Sequence, residues 1–223
     1  NGFTCYVVYQ AVAKAGHKPV FIDVAEGSLD FDERQLAKAC SNHELKALVI
    51  QNTLGLPQNT KPTEEICKKN NIVIIEDLAH SFGAVYPDGR ETGTAGDFTM
   101  LSFSQDKPMD VVAGGALISR RSIQPANSVP KVSLKQRIIN RLYPLFTIII
   151  RATYPFGLGR FIHYGLKKLH LLATPMSDNI TQPYQINKIA ANLLLKRLNN
   201  SESELKHRRQ IAGIYSKNLP EEI

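Results

Sequence analysis

The 223-residue chain has only three cysteines, Cys5, Cys40 and Cys67, and they lie far apart. None is in C-x-x-C spacing, which argues against both a disulfide framework and a zinc site and fits a reducing, cytosolic setting. Cys40 and Cys67 read as small buried side chains on helices. No cluster of ligand residues has metal spacing, and no internal repeat is found. The chain opens Asn1-Gly2-Phe3 without an initiator methionine or a signal peptide, and it closes at Ile223 just after a helix-like stretch. Both ends read as cuts in a longer protein, so part of any site is expected to lie outside it.

One absence is local. From Val111 to Ser177 there is no Asp or Glu, while ten Lys and Arg fall in that window. The net charge of +7 therefore arises there: seventeen basic residues face twenty acidic ones in the rest of the chain. The bias belongs to one segment and does not mark a generally basic protein. No reader motif for nucleic acid accompanies it. The apolar part of this segment, around Leu145, Phe146 and Ile148 to Ile150, is too short to span a bilayer.

What is present is an alternation of helical and strand-like stretches at a hydrophobic content of 43%. A helix is predicted over Thr4–Ala15, with Val7, Val8, Ala11, Val12 and Ala15 on one face and Gly16 as its stop. Further helices are predicted over Asp30–Cys40 and Pro62–Asn70, each with acidic residues in its first turn. Strands are predicted over Lys18–Asp23, Lys46–Gln51, Asn71–Glu76, Phe98–Ser104 and Gly115–Ser119. Their apolar runs lack an in–out alternation, which indicates a parallel or mixed sheet covered on both faces. After Arg121 the pattern changes. Ser122–Ser133 reads as a loop and Leu134–Ile150 as an amphipathic helix that turns wholly apolar. Tyr154–Gly159 interrupts it, and Arg160–Leu172 is again basic and amphipathic. Helices are predicted over Tyr184–Leu198 and Glu202–Leu219. The division expected is a transferase core over 1–121 lacking its N-terminal part, a basic helical insertion over 122–178, and helices leading into a truncated C-terminal domain over 179–223.

The chemistry sits near the carboxyl ends of strands, where ligands of open α/β sheets bind. Asp77 and His80 follow the run Asn71-Ile-Val-Ile-Ile-Glu76. Ser102 ends another strand, Lys107 lies in the loop beyond it, and Gly114-Gly115 closes that loop. A pyridoxal phosphate (PLP) enzyme needs a lysine to hold the aldehyde as a Schiff base and an acid to keep the pyridine nitrogen protonated. Singly, each residue has an ordinary explanation. An Asp after a strand is often a turn or helix cap. A lone His is more often structural, a lone loop Lys is usually solvated, and Gly-Gly is a turn. Together, in this order, they form a PLP kit.

The stretch Ile75-Glu-Asp-Leu-Ala-His80-Ser-Phe-Gly-Ala84, then Gly93-Thr-Ala-Gly-Asp97, Ser102-Phe-x-x-x-Lys107 and Gly114-Gly115 resembles the DegT/DnrJ/EryC1/StrS sugar aminotransferases, which are fold-type I PLP enzymes. Thr4-Cys5 through Asp23 and Asn52-Thr-Leu-Gly55-Leu-Pro57 resemble the same family. The likeness covers the first half of the chain closely and resumes weakly at 189–198 and 208–215. It implies a three-layer αβα fold with a mixed, mostly parallel sheet. It also implies roles: Asp77 on the pyridinium nitrogen, His80 near the phenolic oxygen, Ser102 on the phosphate, and Lys107 as Schiff-base lysine and proton shuttle. Cys5 stands where many members stack an aromatic ring on the cofactor, and Asn52 where many have His. Asn179 is a rough counterpart of the asparagine that reaches the partner subunit's phosphate, and Thr181 or Gln182 replaces the arginine that follows it. The family's phosphate loop would lie upstream of Asn1. Some relatives replace the lysine with histidine and dehydrate sugars; Lys107 favours transamination.

The activity implied is transfer of an amino group, with glutamate as donor, to a nucleotide-linked keto-sugar, in a cytoplasmic homodimer serving polysaccharide biosynthesis. The acid-free segment stays open between two readings. It could meet anions, either an anionic membrane surface or a substrate diphosphate, or it could pack its apolar face on its own domain or a dimer mate. A non-catalytic relative acting as a membrane-surface or protein-binding module through residues 131–172 is the alternative to the enzyme.

Overall fold

A computed structural model describes residues 1–42, 44–123, 129–172 and 183–220. The elements run α1 (Tyr6–Lys14), α2 (Glu33–Asn42), β1 (Ala47–Gln51), α3 (Lys61–Lys69), β2 (Val73–Asp77), β3 (Phe98–Ser102), β4 (Gly115–Ser119), α4 (Leu134–Thr153), α5 (Leu158–Lys168), α6 (Lys188–Asn199) and α7 (Ser201–Asn218). The four strands form one mixed sheet in the order β1-β2-β3-β4. β1, β2 and β3 are mutually parallel, and β4 returns antiparallel to β3. The reversal follows from the connections: α3 carries the chain across between β1 and β2, whereas β3 and β4 are joined by a hairpin-like loop that holds Lys107.

Strand alternation gives the sheet two unlike faces. Leu48 and Ile50 on β1 and Ile74 on β2 are buried with Leu36 and Ala39 of α2 and Cys67 of α3. Burial of this face against two amphipathic helices is the main apolar core. On the other face Val49 and Ile75 are half-buried, and Met100 and Leu117 are exposed. Cys67 is fully buried, and burial pushes its thiol pKa up to about 12.

Two of the expected elements differ. Lys18–Asp23 forms no strand. Its one deeply inserted side chain is Ile22, while Phe21 points outward. The hydrogen bonds at its end are local: Asp32 N–H donates to Asp23 O and Ala25 N–H to Asp30 O, at 3.0 and 2.9 Å. A strand needs a ladder partner, and here residues 23–25 pair with 30–32 instead. The helix expected from Asp30 begins only at Glu33. Asp32 Oδ1 accepts from the Arg34 and Gln35 N–H groups, so it caps the helix from outside. The remaining elements lie within a few residues of their expected places.

α4 and α5 pack on each other and on the short 3-10 turn Tyr154–Phe156 between them. Ser133 Oγ caps α4 by accepting from Gln136 N–H. Pro144 lies within the helix, where it has no N–H to donate, and Gly157, at φ +78°, makes the left-handed turn into α5. Gln185 N–H donates to Pro130 O at 2.8 Å, and Lys131 bridges Gln185, so the chain leaves and re-enters the core side by side. Among the described residues no helix is long and apolar enough to cross a membrane.

Candidate active site at the strand ends

The carboxyl ends of β1, β2 and β3 converge. Gln51, Asp77 and Met100 are in register across the three strands and share a face. Ser102 lies two residues beyond Met100, so it falls on the same face. Asp77 is almost fully buried, and its Oδ1 accepts from Ala79 N–H at 2.9 Å. Leu78 N–H donates to Met100 O at 2.9 Å, so the chain turns off the sheet only after Asp77 has been fixed. Burial pushes the Asp77 carboxyl above its usual range; the Ala79 bond and the charges of His80 and Lys107 pull the other way. His80 is exposed as a residue. Partial desolvation and then the Lys107 charge lower its imidazole pKa, and Asp77 opposes them. Asp77 and His80 thus feel each other, and both feel the charge of Lys107, so the three lie close together.

Lys107 is half-buried in the loop that joins β3 to β4. Its N–H donates to Ser104 O at 3.3 Å, and the Ser102 and Ser104 hydroxyls are 3.1 Å apart. Phe103, Met109 and Val111 of this loop are buried against Ala190, with Leu194 and Leu198 beside them. α6 therefore props the Lys107 loop from beneath. Asp106 and Val112 have φ of +64° and +74°. For a β-branched valine that is a strained backbone, held by the packing around it. At Gly115 a Cβ would lie 2.8 Å from Leu101 O, so the tight closure of the loop requires glycine.

Cys5 is half-buried at the N-cap of α1. It reaches the strand ends through its neighbours: the Thr4 hydroxyl bonds the Gln51 side chain, and Thr53 Oγ1 donates to Phe3 O at 3.3 Å. Asn52, at the family's histidine position, is fully buried; its Oδ1 accepts from Gln58 N–H, and its Nδ2 donates to Ser81 Oγ at 3.3 Å. It ties the end of β1 to the turn after His80. Asn179, Thr181 and Gln182 lie outside the described residues. Among the described residues no group of three or more His, Cys, Asp or Glu is placed to hold a metal ion.

Sequence reasoning passed over Glu76. It is fully buried on the face opposite Asp77. Its Oε2 accepts from Tyr86 O–H at 2.5 Å and Gly93 N–H at 2.7 Å, and its Oε1 from Gly96 N–H at 2.6 Å. One carboxyl thus pins the long β2–β3 connection under the strand that presents Asp77. At Gly96 a Cβ would stand 2.9 Å from both Ile74 O and Phe98 O, so only glycine lets the backbone come this close. Asp97 adds a second clamp, accepting from Ile74 N–H at 2.9 Å and Arg121 Nε at 2.6 Å. The available signal was a Glu inside an apolar strand, which must find donors, followed by the small-residue run Gly93-Thr-Ala-Gly96.

This arrangement matches the motif order of one family, and the model of the DegT/DnrJ/EryC1/StrS aminotransferase family matches residues 2–128, more than half of the chain. The chain belongs to the DegT/DnrJ/EryC1/StrS aminotransferase family. It is 23% identical over 209 residues to GDP-perosamine synthase of Escherichia coli O157:H7, covering 94% of this chain and 48% of that protein. It is 34% identical over 103 residues to dTDP-4-amino-4,6-dideoxy-D-glucose transaminase of Shigella dysenteriae, covering 46% of this chain and 28% of that protein. Among solved structures, Helicobacter pylori PseC, an aminotransferase involved in the biosynthesis of pseudoaminic acid, superposes with a TM-score of 0.63 over 97% of this chain and 50% of its own, at 19% identity. That likeness shows the shared α/β fold. The chain spans half or less of the length of these curated relatives.

Proposed function

We propose that this family member works as a PLP-dependent aminotransferase that moves an amino group from an amino acid, with glutamate as donor, to a nucleotide-linked keto-sugar, through a Schiff base on Lys107. The observation that carries the reading is a buried carboxyl, Asp77, at the end of β2, close enough to the half-buried Lys107 for the lysine's charge to pull its pKa down against burial. The donor set suits the cofactor. A carboxyl whose pKa is raised by burial is relieved by a protonated ring nitrogen. The Ser102 and Ser104 hydroxyls, 3.1 Å apart, would serve as donors to the cofactor's phosphate, and Cys5 would offer a polarizable flank.

The roles follow from the chemistry of each group. With PLP bound, Asp77 would hold the proton on its ring nitrogen, and Lys107 would hold its aldehyde until the donor's amine takes that place, leaving Nζ free to accept a proton from the donor's α-carbon. When bound, PLP supplies the electron sink that makes this proton removable. His80 would stand near the cofactor's phenolic oxygen, as the family resemblance implies. In the second half of the reaction Lys107 Nζ would deliver a proton to the sugar carbon that receives the nitrogen. The reading includes a cytoplasmic homodimer whose sites are completed across the interface by the Asn179 segment. It also takes residues 1–121 as the core, 122–178 as an inserted segment and 179–223 as the lead into a C-terminal domain.

The test is borohydride reduction of the chain incubated with PLP, followed by peptide mapping. The expected outcome is a reduced pyridoxyl adduct concentrated on Lys107 and lost in Lys107→Ala. Adduct spread evenly over the surface lysines, and unchanged by Lys107→Ala, would favour the non-catalytic relative instead.

A further inference from the structure

The helical hairpin α4–α5 is built unlike the rest of the chain, and its chemistry is independent of the aminotransferase reading. It leaves and rejoins the core at the Pro130–Lys131 and Gln185 contact, and its two helices pack on each other. At its tip, where a soluble turn would be polar, the chain places Tyr154, Phe156 and Phe161, with Phe156 85% and Phe161 76% exposed. Ile148 and Tyr164, on the turns of helix just behind, are 65% and 66% exposed. An exposed patch of large apolar and aromatic side chains on one projecting element marks a docking surface rather than scattered surface hydrophobes.

The charges decide what it docks on. Every Lys and Arg of residues 131–172 is exposed, and none is paired to a carboxylate among the described residues. Arg160 instead lies over the Tyr154 ring at 5.4 Å. A twofold contact between two copies through this hairpin would set the patch against itself. With no acid anywhere from Val111 to Ser177, that contact would gather cations with nothing to neutralise them. An anionic lipid surface supplies both missing partners: acyl and interfacial depth for the aromatic tip, and headgroup phosphates for the basic flanks. Pro144 separates the two functions along α4, with Lys135, Arg137 and Arg141 before it and the apolar Leu145–Ile150 stretch after it.

We infer that the α4–α5 hairpin is a monotopic membrane anchor, which seats its aromatic tip in the interface of an anionic bilayer and holds it there through its basic flanks. The helices lie on the bilayer and do not span it.

The experiment is flotation of the chain with vesicles of 30 mol% phosphatidylglycerol in phosphatidylcholine, beside pure phosphatidylcholine vesicles, at low and high salt. The wild type should float with the anionic vesicles and lose most of that binding in high salt, as the Debye length shortens. Each basic side chain near the surface contributes roughly 5-fold in affinity, so Arg137→Glu with Arg141→Glu should weaken binding by about 25-fold or more. Phe156→Ser with Phe161→Ser should cost on the order of 10-fold or more in binding to the anionic vesicles at either salt. A wild type that stays with the soluble fraction, or an arginine variant that floats like wild type, overturns the inference. So does a wild-type dimer that ignores vesicles and becomes monomeric, by light scattering, in the folded phenylalanine variant; the tip would then be a subunit contact. Should the phenylalanine variant fail to fold, the wild-type lipid and salt comparison decides alone.

Discussion

Replacing Glu76 with Gln tests the clamp beneath the site. The carboxyl offers two oxygens to three donors, all at 2.7 Å or less: Tyr86 O–H, Gly93 N–H and Gly96 N–H. Glutamine has the same shape but only one accepting oxygen. If that oxygen serves Tyr86 and Gly93, the amide N–H₂ faces Gly96 N–H, donor against donor. Turned the other way, the amide faces Gly93 N–H, which is stranded, while the Tyr86 hydroxyl can turn to accept from it. A buried donor left without a partner costs about 1–3 kcal/mol, and the lost hydrogen bond about 1 kcal/mol more. The expected loss is therefore about 2–4 kcal/mol, a large share of the roughly 5–15 kcal/mol typical of a domain. Tyr86→Phe removes one donor and strands none, since Oε2 keeps Gly93; it should cost only about 1 kcal/mol. The assay is equilibrium urea unfolding at neutral pH with the slope compared among variants. Retention of PLP should fall along with stability in Glu76→Gln, because Asp77 is the next residue on the same strand. A Glu76→Gln protein within about 0.5 kcal/mol of wild type at unchanged slope, the range of a neutral surface substitution, would refute the reasoning.

Asp77→Asn should separate stability from function. Because the folded-state pKa of Asp77 is raised above its ordinary 3.8, the folded protein binds a proton more readily than the unfolded chain. Wild-type stability from this group is full below about pH 3.8 and is lost as pH rises through the folded-state value. The PLP-free asparagine variant should therefore gain on wild type at neutral pH, with the difference closing in acid, while its PLP retention drops; paired urea titrations at the two pH values check it. Gly83→Ala puts a Cβ 2.3 Å from Leu205 Cδ1 at φ +75° and should cost about 1–3 kcal/mol, with the steric part regained in the Leu205→Ala background, read by thermal unfolding. Cys67, fully buried with its thiol pKa at about 12, should resist iodoacetamide at pH 8 until the chain is unfolded.

The sequence by itself determined the elements whose signals are local. Apolar periodicity, capping residues and glycine stops marked α1, β1, α3, β2 and β4 to within a few residues, and the motifs around Asp77, Ser102 and Lys107 pointed to the family that the comparisons then showed. Tertiary structure decided what depends on partners distant in the chain. Whether Lys18–Asp23 is a strand depends on a free ladder edge, and residues 23–25 bond to 30–32 instead. The role of Glu76 depends on donors ten to twenty residues away, and the placing of Cys5 on a Thr4–Gln51 bond spanning 47 positions. The support of the Lys107 loop depends on α6, more than eighty residues later in the chain. Helix and turn preferences are short-range, so they can be read along a line. The satisfaction of a buried polar group and the pairing of a strand are properties of three-dimensional neighbours, and a line of residues does not contain them.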